Sequence, residues 1–125
     1  MFKKLFILGM LVTSLFSEVR ELTDENFDRA KSRGIVVVEF WASWNEVNKV
    51  VLLDEWDTFD AKVYRLKICS YPQIQADNEV VILPTIIFYD DGKEVKRLQG
   101  DMSFSLEITT KQLDKIIDEI LMSKF

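Results

Sequence analysis

The chain has 125 residues, enough for one compact domain with a single core, and its 48% hydrophobic and 30% charged content excludes a disordered chain or one embedded wholly in a membrane. Twenty-one acidic against sixteen basic residues give a net charge of −5, and no basic stripe is present, so nucleic acid is not an expected partner. With no His and a single Cys, Cys69, the chain has neither an internal disulfide nor a multi-cysteine zinc site, and no metal or cofactor is expected.

The first seventeen residues differ from the rest. Lys3 and Lys4 precede an apolar run, Leu5 to Phe16, and the small polar Ser17 precedes an acidic start at Glu18. This pattern predicts a signal peptide over residues 1–17 and a mature domain over 18–125. The run is shorter than the ~20 residues of a membrane-spanning helix. Leu15 occupies a position where a smaller residue is preferred for cleavage, so an uncleaved N-terminal anchor is the alternative. The expected location is therefore outside the cytoplasm, most simply a bacterial periplasm. The alternatives are a domain anchored by residues 5–16 and facing that space, or another secretory compartment.

Glu18 to Leu22 is a candidate short strand. Thr23, followed by Asp24 and Glu25, is a candidate N-cap for a helix through Phe27 and Ala30 that stops before Gly34. Ile35 to Trp41 is a continuous apolar run with one acid, Glu39, as in a central strand buried on both faces. Val47 to Phe59 is expected to be helical, and Tyr64 to Cys69 to be a strand. Tyr71-Pro72 opens a turn or short helix to about Asp77. Thr85 to Tyr89, Asp90-Asp91-Gly92-Lys93 and Glu94 to Gln99 predict strand, turn and return strand. Asp101 to Ile108, "DMSFSLEI", is either an added short strand, an apolar flap or ordinary core packing. Thr109-Thr110-Lys111-Gln112 fits a capping box ahead of Leu113, Ile116, Ile117, Ile120 and Leu121 at helical spacing. Phe40, Trp41, Phe59 and Phe88 are assigned to the core. The order is β-α-β-α-β-α-β-β-α, without repeats or linkers.

Two stretches carry a resemblance. "VVVEFWASW" resembles the strand that leads into the active site of the thioredoxin family, and "ILPTIIFYDDGKEV" resembles that family's cis-proline loop, strand, turn and strand. Gly100 stands where the family often has a glycine. The resemblance, over about Val19 to Ile120, implies an α/β fold of three layers, a central mixed sheet of four to five strands flanked by helices on both faces. It also implies a cis Leu83–Pro84 bond and a peptide-binding groove at Trp44, Asn45, Ile68, Leu83, Pro84, Thr85 and Gly100.

The family's two thiol positions match Asn45 and Asn48. Thiol–disulfide exchange needs a thiolate with a lowered pKa and a second thiol to resolve the mixed disulfide. Asn supplies neither, so no catalytic residue is expected at this turn. The simplest role for Asn45 is an N-cap. Glu39 falls at the family's buried-acid position, where it either stays buried or reaches toward solvent. Cys69 is either a lone reactive thiol or an inert, half-buried strand residue. The leading expectation is a redox-silent, exported domain that binds an extended polypeptide or partner protein. The alternatives are an oxidoreductase or monothiol enzyme using Cys69 or a partner's thiol, and a membrane-anchored structural subunit.

Overall fold

In the computed structural model, which describes residues 19–125, the elements run β1 (Arg20–Leu22), α1 (Phe27–Lys31), β2 (Ile35–Trp41), a 3-10 segment (Ser43–Asn48), α2 (Leu52–Glu55), β3 (Ala61–Lys67), a second 3-10 turn (Ile68–Ser70), α3 (Pro72–Asp77), β4 (Thr85–Asp90), β5 (Lys93–Gln99) and α4 (Thr110–Ser123). The signal segment expected over residues 1–17 lies outside the described residues. The five strands form one mixed sheet in the order β1-β3-β2-β4-β5. β1 and β2 pair parallel to β3, while β4 runs antiparallel to β2 and to β5.

β2 is the axis of the sheet because its sequence is apolar on both faces. Side chains alternate across a strand, so Val36, Val38 and Phe40 enter one core while Ile35 and Val37 enter the other. The first core receives Phe27 and Ala30 from α1 and Ile74 from α3. The second receives Leu53 from α2 and Leu113, Ile116, Ile117 and Ile120 from α4. Two helical layers therefore sandwich the sheet, as the fold class predicts. Among the described residues, no helix is long and apolar enough to cross a membrane.

Strong local signals hold their places. The β4–β5 hairpin turns at Asp91 and Gly92, both at positive φ (50° and 87°), the two-residue geometry whose twist matches the flanking strands. The capping box ahead of α4 is closed in both directions: Gln112 N–H donates to Thr109 Oγ1 (3.2 Å) and Thr109 N–H donates to Gln112 Oε1 (2.8 Å). Gly34 sits at φ 67° after α1, where a side chain would strain the backbone.

Weak signals do not. Thr23 does not cap α1. The helix begins after Asn26, whose Oδ1 accepts from the Thr23 amide (2.7 Å), closing a turn between them. The helix expected over Val47 to Phe59 is reduced to the single turn of α2, because Trp56 is already extended and the Val50 amide is bound by Glu39 from the sheet. The strand expected over Tyr64 to Cys69 spans Ala61–Lys67, and Cys69 lies in the turn beyond it. Asp101 to Ile108 forms a loop rather than a strand. Phe59 is 96% exposed, outside either core, and Trp41 is only half-buried.

Candidate functional site

β2 ends at Trp41, and the chain leaves the sheet through Ala42, which is extended and fully buried. Ser43–Asn48 then winds as 3-10 turns kinked at Asn45 (φ −121°, ψ 21°). The position ahead of the first turn is held by Ala42, so Asn45 is not an N-cap. Its side chain is instead buried and doubly engaged. Asn45 Nδ2 donates to the Phe104 carbonyl (3.0 Å) and Asn45 Oδ1 accepts from Asn48 Nδ2 (2.8 Å). A backbone carbonyl only accepts, which fixes which end of the Asn45 amide faces Phe104. The two amides at the expected thiol positions are thus bonded to each other and to a loop 59 residues away.

Beside this turn lies an apolar groove of about 370 Å³. Trp44, Ile68 and Leu83, all expected there, line it, and Cys69 stands in its wall. Val80, Val81 and Ile82 extend one wall, and Phe104 completes the other by meeting Trp44 edge-on, with ring centroids 5.4 Å apart at 90°. Trp44 remains 65% exposed and Phe104 44%.

The other expected residues stand behind the lining. The Leu83–Pro84 bond is cis. Thr85 is fully buried, its hydroxyl donating to the Ile82 carbonyl. The Gly100 amide donates to the Pro84 carbonyl (2.8 Å). A Cβ at Gly100 would meet Ser105 O at 2.8 Å and both Leu83 O and Pro84 Cδ at 2.9 Å.

Beneath the turn, Glu39 keeps its buried place. Its Oε2 accepts from the Val50 amide (2.7 Å) and its Oε1 from Arg65 Nε (2.8 Å). Register makes this pair, because Glu39 lies opposite Arg65 across β2 and β3, on the face of the second core. Arg65 also donates to the Val50 carbonyl (2.8 Å) and to Asp54 Oδ1 (2.7 Å). Burial pushes the Glu39 carboxyl above its ordinary range against the pull of Val50 and Arg65. Burial also acts to raise Asp54, but the bonds from Arg65 and the Val19 amide outweigh it, and that carboxyl sits below its ordinary range. Among the described residues, no cluster of three or more His, Cys, Asp or Glu is placed to hold a metal ion.

The Thioredoxin family profile matches residues 18–115. The chain belongs to the thioredoxin family. Thioredoxin of Staphylococcus haemolyticus is 33% identical over 85 residues, covering 64% of this chain and 82% of the relative. Thioredoxin of Mycobacterium tuberculosis is 36% identical over 87 residues, covering 64% and 75%. Among solved structures, the thioredoxin of Malassezia sympodialis superposes with a TM-score of 0.65 at 18% identity, over 81% of this chain and 89% of that one. A mutant thioredoxin from Halobacterium salinarum gives 0.64 at 20%, over 82% and 89%. These structures agree with the thioredoxin-like fold of the five-stranded sheet.

The thioredoxin fold places Cys69, the chain's one cysteine, at this site but in a different element from the turn of Asn45 and Asn48. The thiol is exposed and lies in the turn beyond β3 rather than half-buried in a strand, with Sγ 3.6 Å from Ser43 Oγ. Hydrogen bonds from the Ser43 backbone and hydroxyl, with a smaller contribution from the charge of Lys67, hold its pKa below the ordinary thiol value. Arg65, Asp54 and the Val80–Ile82 wall are absent from the sequence reading. Arg65 is one of three basic residues in β3, with Lys62 and Lys67, so no local signal singles it out, and naming Glu39 as its partner requires the register.

Proposed function

We propose that this chain is an exported, redox-silent thioredoxin-like domain that binds an extended polypeptide or partner protein along the groove between the 43–48 turn and the Leu83–Pro84 loop. One observation carries the reading: an apolar groove with an exposed aromatic wall persists beside a turn whose two thiol positions hold hydrogen-bonded amides. A strand-like peptide gains affinity from main-chain pairing and specificity from pockets for alternate side chains. With Gln75 as the only amide side chain among an otherwise largely apolar lining, the groove favours an apolar side chain. Lys3, Lys4 and the Leu5 to Phe16 run support export.

The test uses chain expressed with its own N-terminus in a bacterium and recovered from the periplasm. Its mass is expected to correspond to a start near Glu18; retention of residues 1–17 in the membrane favours the anchored alternative. Anisotropy of a fluorescein-labelled peptide of about ten residues, one central Phe among Ser and Thr, then measures binding. Trp44→Ala is expected to weaken the affinity at least about ten-fold, as loss of an aromatic anchor does. Equal affinity in wild type and variant, or none in either, overturns the groove reading.

A second reading, a monothiol protein, is favoured by the exposed Cys69 with its lowered pKa. Its thiolate would attack a partner's disulfide, forming one mixed disulfide and releasing the partner's other sulfur as a thiolate. With no second thiol in the chain to resolve it, the adduct would persist until an external thiol cleaved it, visible as a mass increase that Cys69→Ser abolishes.

A further inference from the structure

We infer that Asn45 and Asn48 form a latch that holds the Asp101–Ile108 loop closed, positioning Phe104 as the groove wall that selects an apolar side chain. The inference rests on the groove reading for what Phe104 selects; the latch stands on geometry alone. Asn48 Nδ2 occupies Asn45 Oδ1, and this leaves Asn45 Nδ2 aimed at the Phe104 carbonyl, 3.0 Å away. Asn45 is 5% exposed, so the donor side of this part-buried bond is withdrawn from water.

The loop is shaped to meet the latch. The Asp101 amide donates to Ser105 O (3.1 Å), the Phe104 amide to Asp101 O (3.0 Å), and the Ser103 amide to Asp101 Oδ1 (2.9 Å). Within this tight closure Phe104 has φ 59°. A bulky residue rarely adopts that conformation unless its surroundings impose it. The turn's own Phe104 amide bond to Asp101 O, the Asn45 bond on its carbonyl and the Trp44 ring against its side chain together hold it there. Released from Asn45, Phe104 relaxes to an ordinary conformation and its ring leaves Trp44, which opens the wall of the groove. The two positions that hold thiols in the motif this turn resembles thereby determine the shape of the groove.

Asn45→Asp separates the latch from the fold of the turn. It keeps an oxygen to accept from Asn48 but removes the donor to Phe104 and sets a carboxylate against a carbonyl. Hydrogen exchange followed by NMR on the full chain is expected to show the Asp101 and Phe104 amides exchanging about ten-fold faster in this variant, the loss of one part-buried hydrogen bond. The amides of β4 and β5 are expected to keep their wild-type rates. Phe104→Ala keeps the carbonyl and is expected to leave the Asp101 amide within about three-fold of wild type. The single-Phe peptide is expected to bind more weakly to both variants. Unchanged loop exchange in Asn45→Asp overturns the latch whatever the peptide does. Faster exchange across the sheet as well as the loop also overturns it, because Asn45 would then be a general fold determinant. Faster loop exchange with no peptide binding by any form supports the latch and removes the groove reading.

Discussion

At Cys69 the decisive neighbour is Ser43, the residue just before the exposed Trp44. The Ser43 backbone and hydroxyl favour the thiolate over the thiol, while desolvation is small because the side chain is exposed. A lowered pKa means that the thiolate forms at lower pH. The pH midpoint for alkylation of the native chain by iodoacetamide is therefore expected below that of an unperturbed thiol. Ser43→Ala removes the hydroxyl donor and is expected to move the midpoint upward, with the backbone donor retained. Equal midpoints for the two proteins would show that the 3.6 Å contact leaves the thiol unaffected. Asn45 teaches a related lesson. The sequence marks where the thiols would stand, and Asn at those two positions supplies no thiol there. What Asn45 does instead depends on Phe104, 59 residues further along, and no local pattern carries that.

Between elements, Glu39, Arg65 and Asp54 join β2, β3 and α2 through the backbone of Val50. A buried ion pair contributes less than its Coulomb attraction implies, but removing one partner strands the other charge. Arg65→Met is therefore expected to destabilise the fold by about 3 kcal/mol, and Glu39→Leu with Arg65→Met to cost less than Arg65→Met alone. Urea unfolding at neutral pH measures both. With Glu39→Leu measured alone as well, a double variant whose loss equals the sum of the two single losses would show that the pair is not coupled. The same network explains which elements the sequence reveals. β2, the β4–β5 hairpin and the capping box of α4 are set by neighbouring residues and are legible. The stretch from Val47 to Phe59 is not, because Lys49 is extended and the Val50 amide goes to Glu39 rather than to a preceding carbonyl, which breaks a continuous helix. Cys69 is misplaced for a similar reason. The alternation in β3 continues in the sequence beyond Lys67, where the chain turns away from the sheet.

For the whole molecule, Gly100 is the point where the groove's three supports converge. The end of β5, the Leu83–Pro84 entry to β4 and the Ser105 arm of the latched loop approach so closely there that a Cβ has no space: 2.8 Å to Ser105 O, 2.9 Å to Leu83 O and 2.9 Å to Pro84 Cδ. Two of these three atoms are backbone oxygens, so no side-chain rotation relieves the contact. The Gly100 amide, bonded to the Pro84 carbonyl at 2.8 Å, prevents the chain from backing away. Gly100→Ala must then displace either the loop or the Leu83 wall, and overpacking of this kind costs about 1–3 kcal/mol. The loop is the softer element, since its Phe104 is already strained at φ 59°, whereas Leu83 is locked into the first core. The variant is expected to lose stability in urea by about that amount. It is also expected to show faster exchange at the Asp101 and Phe104 amides, with the amide of Ile87 in β4 keeping its wild-type rate relative to the global unfolding free energy. An unchanged urea midpoint would mean that the close approach at Gly100 relaxes without cost. A destabilised sheet with a protected loop would instead show that the strain is taken up at Leu83, on the other wall of the groove.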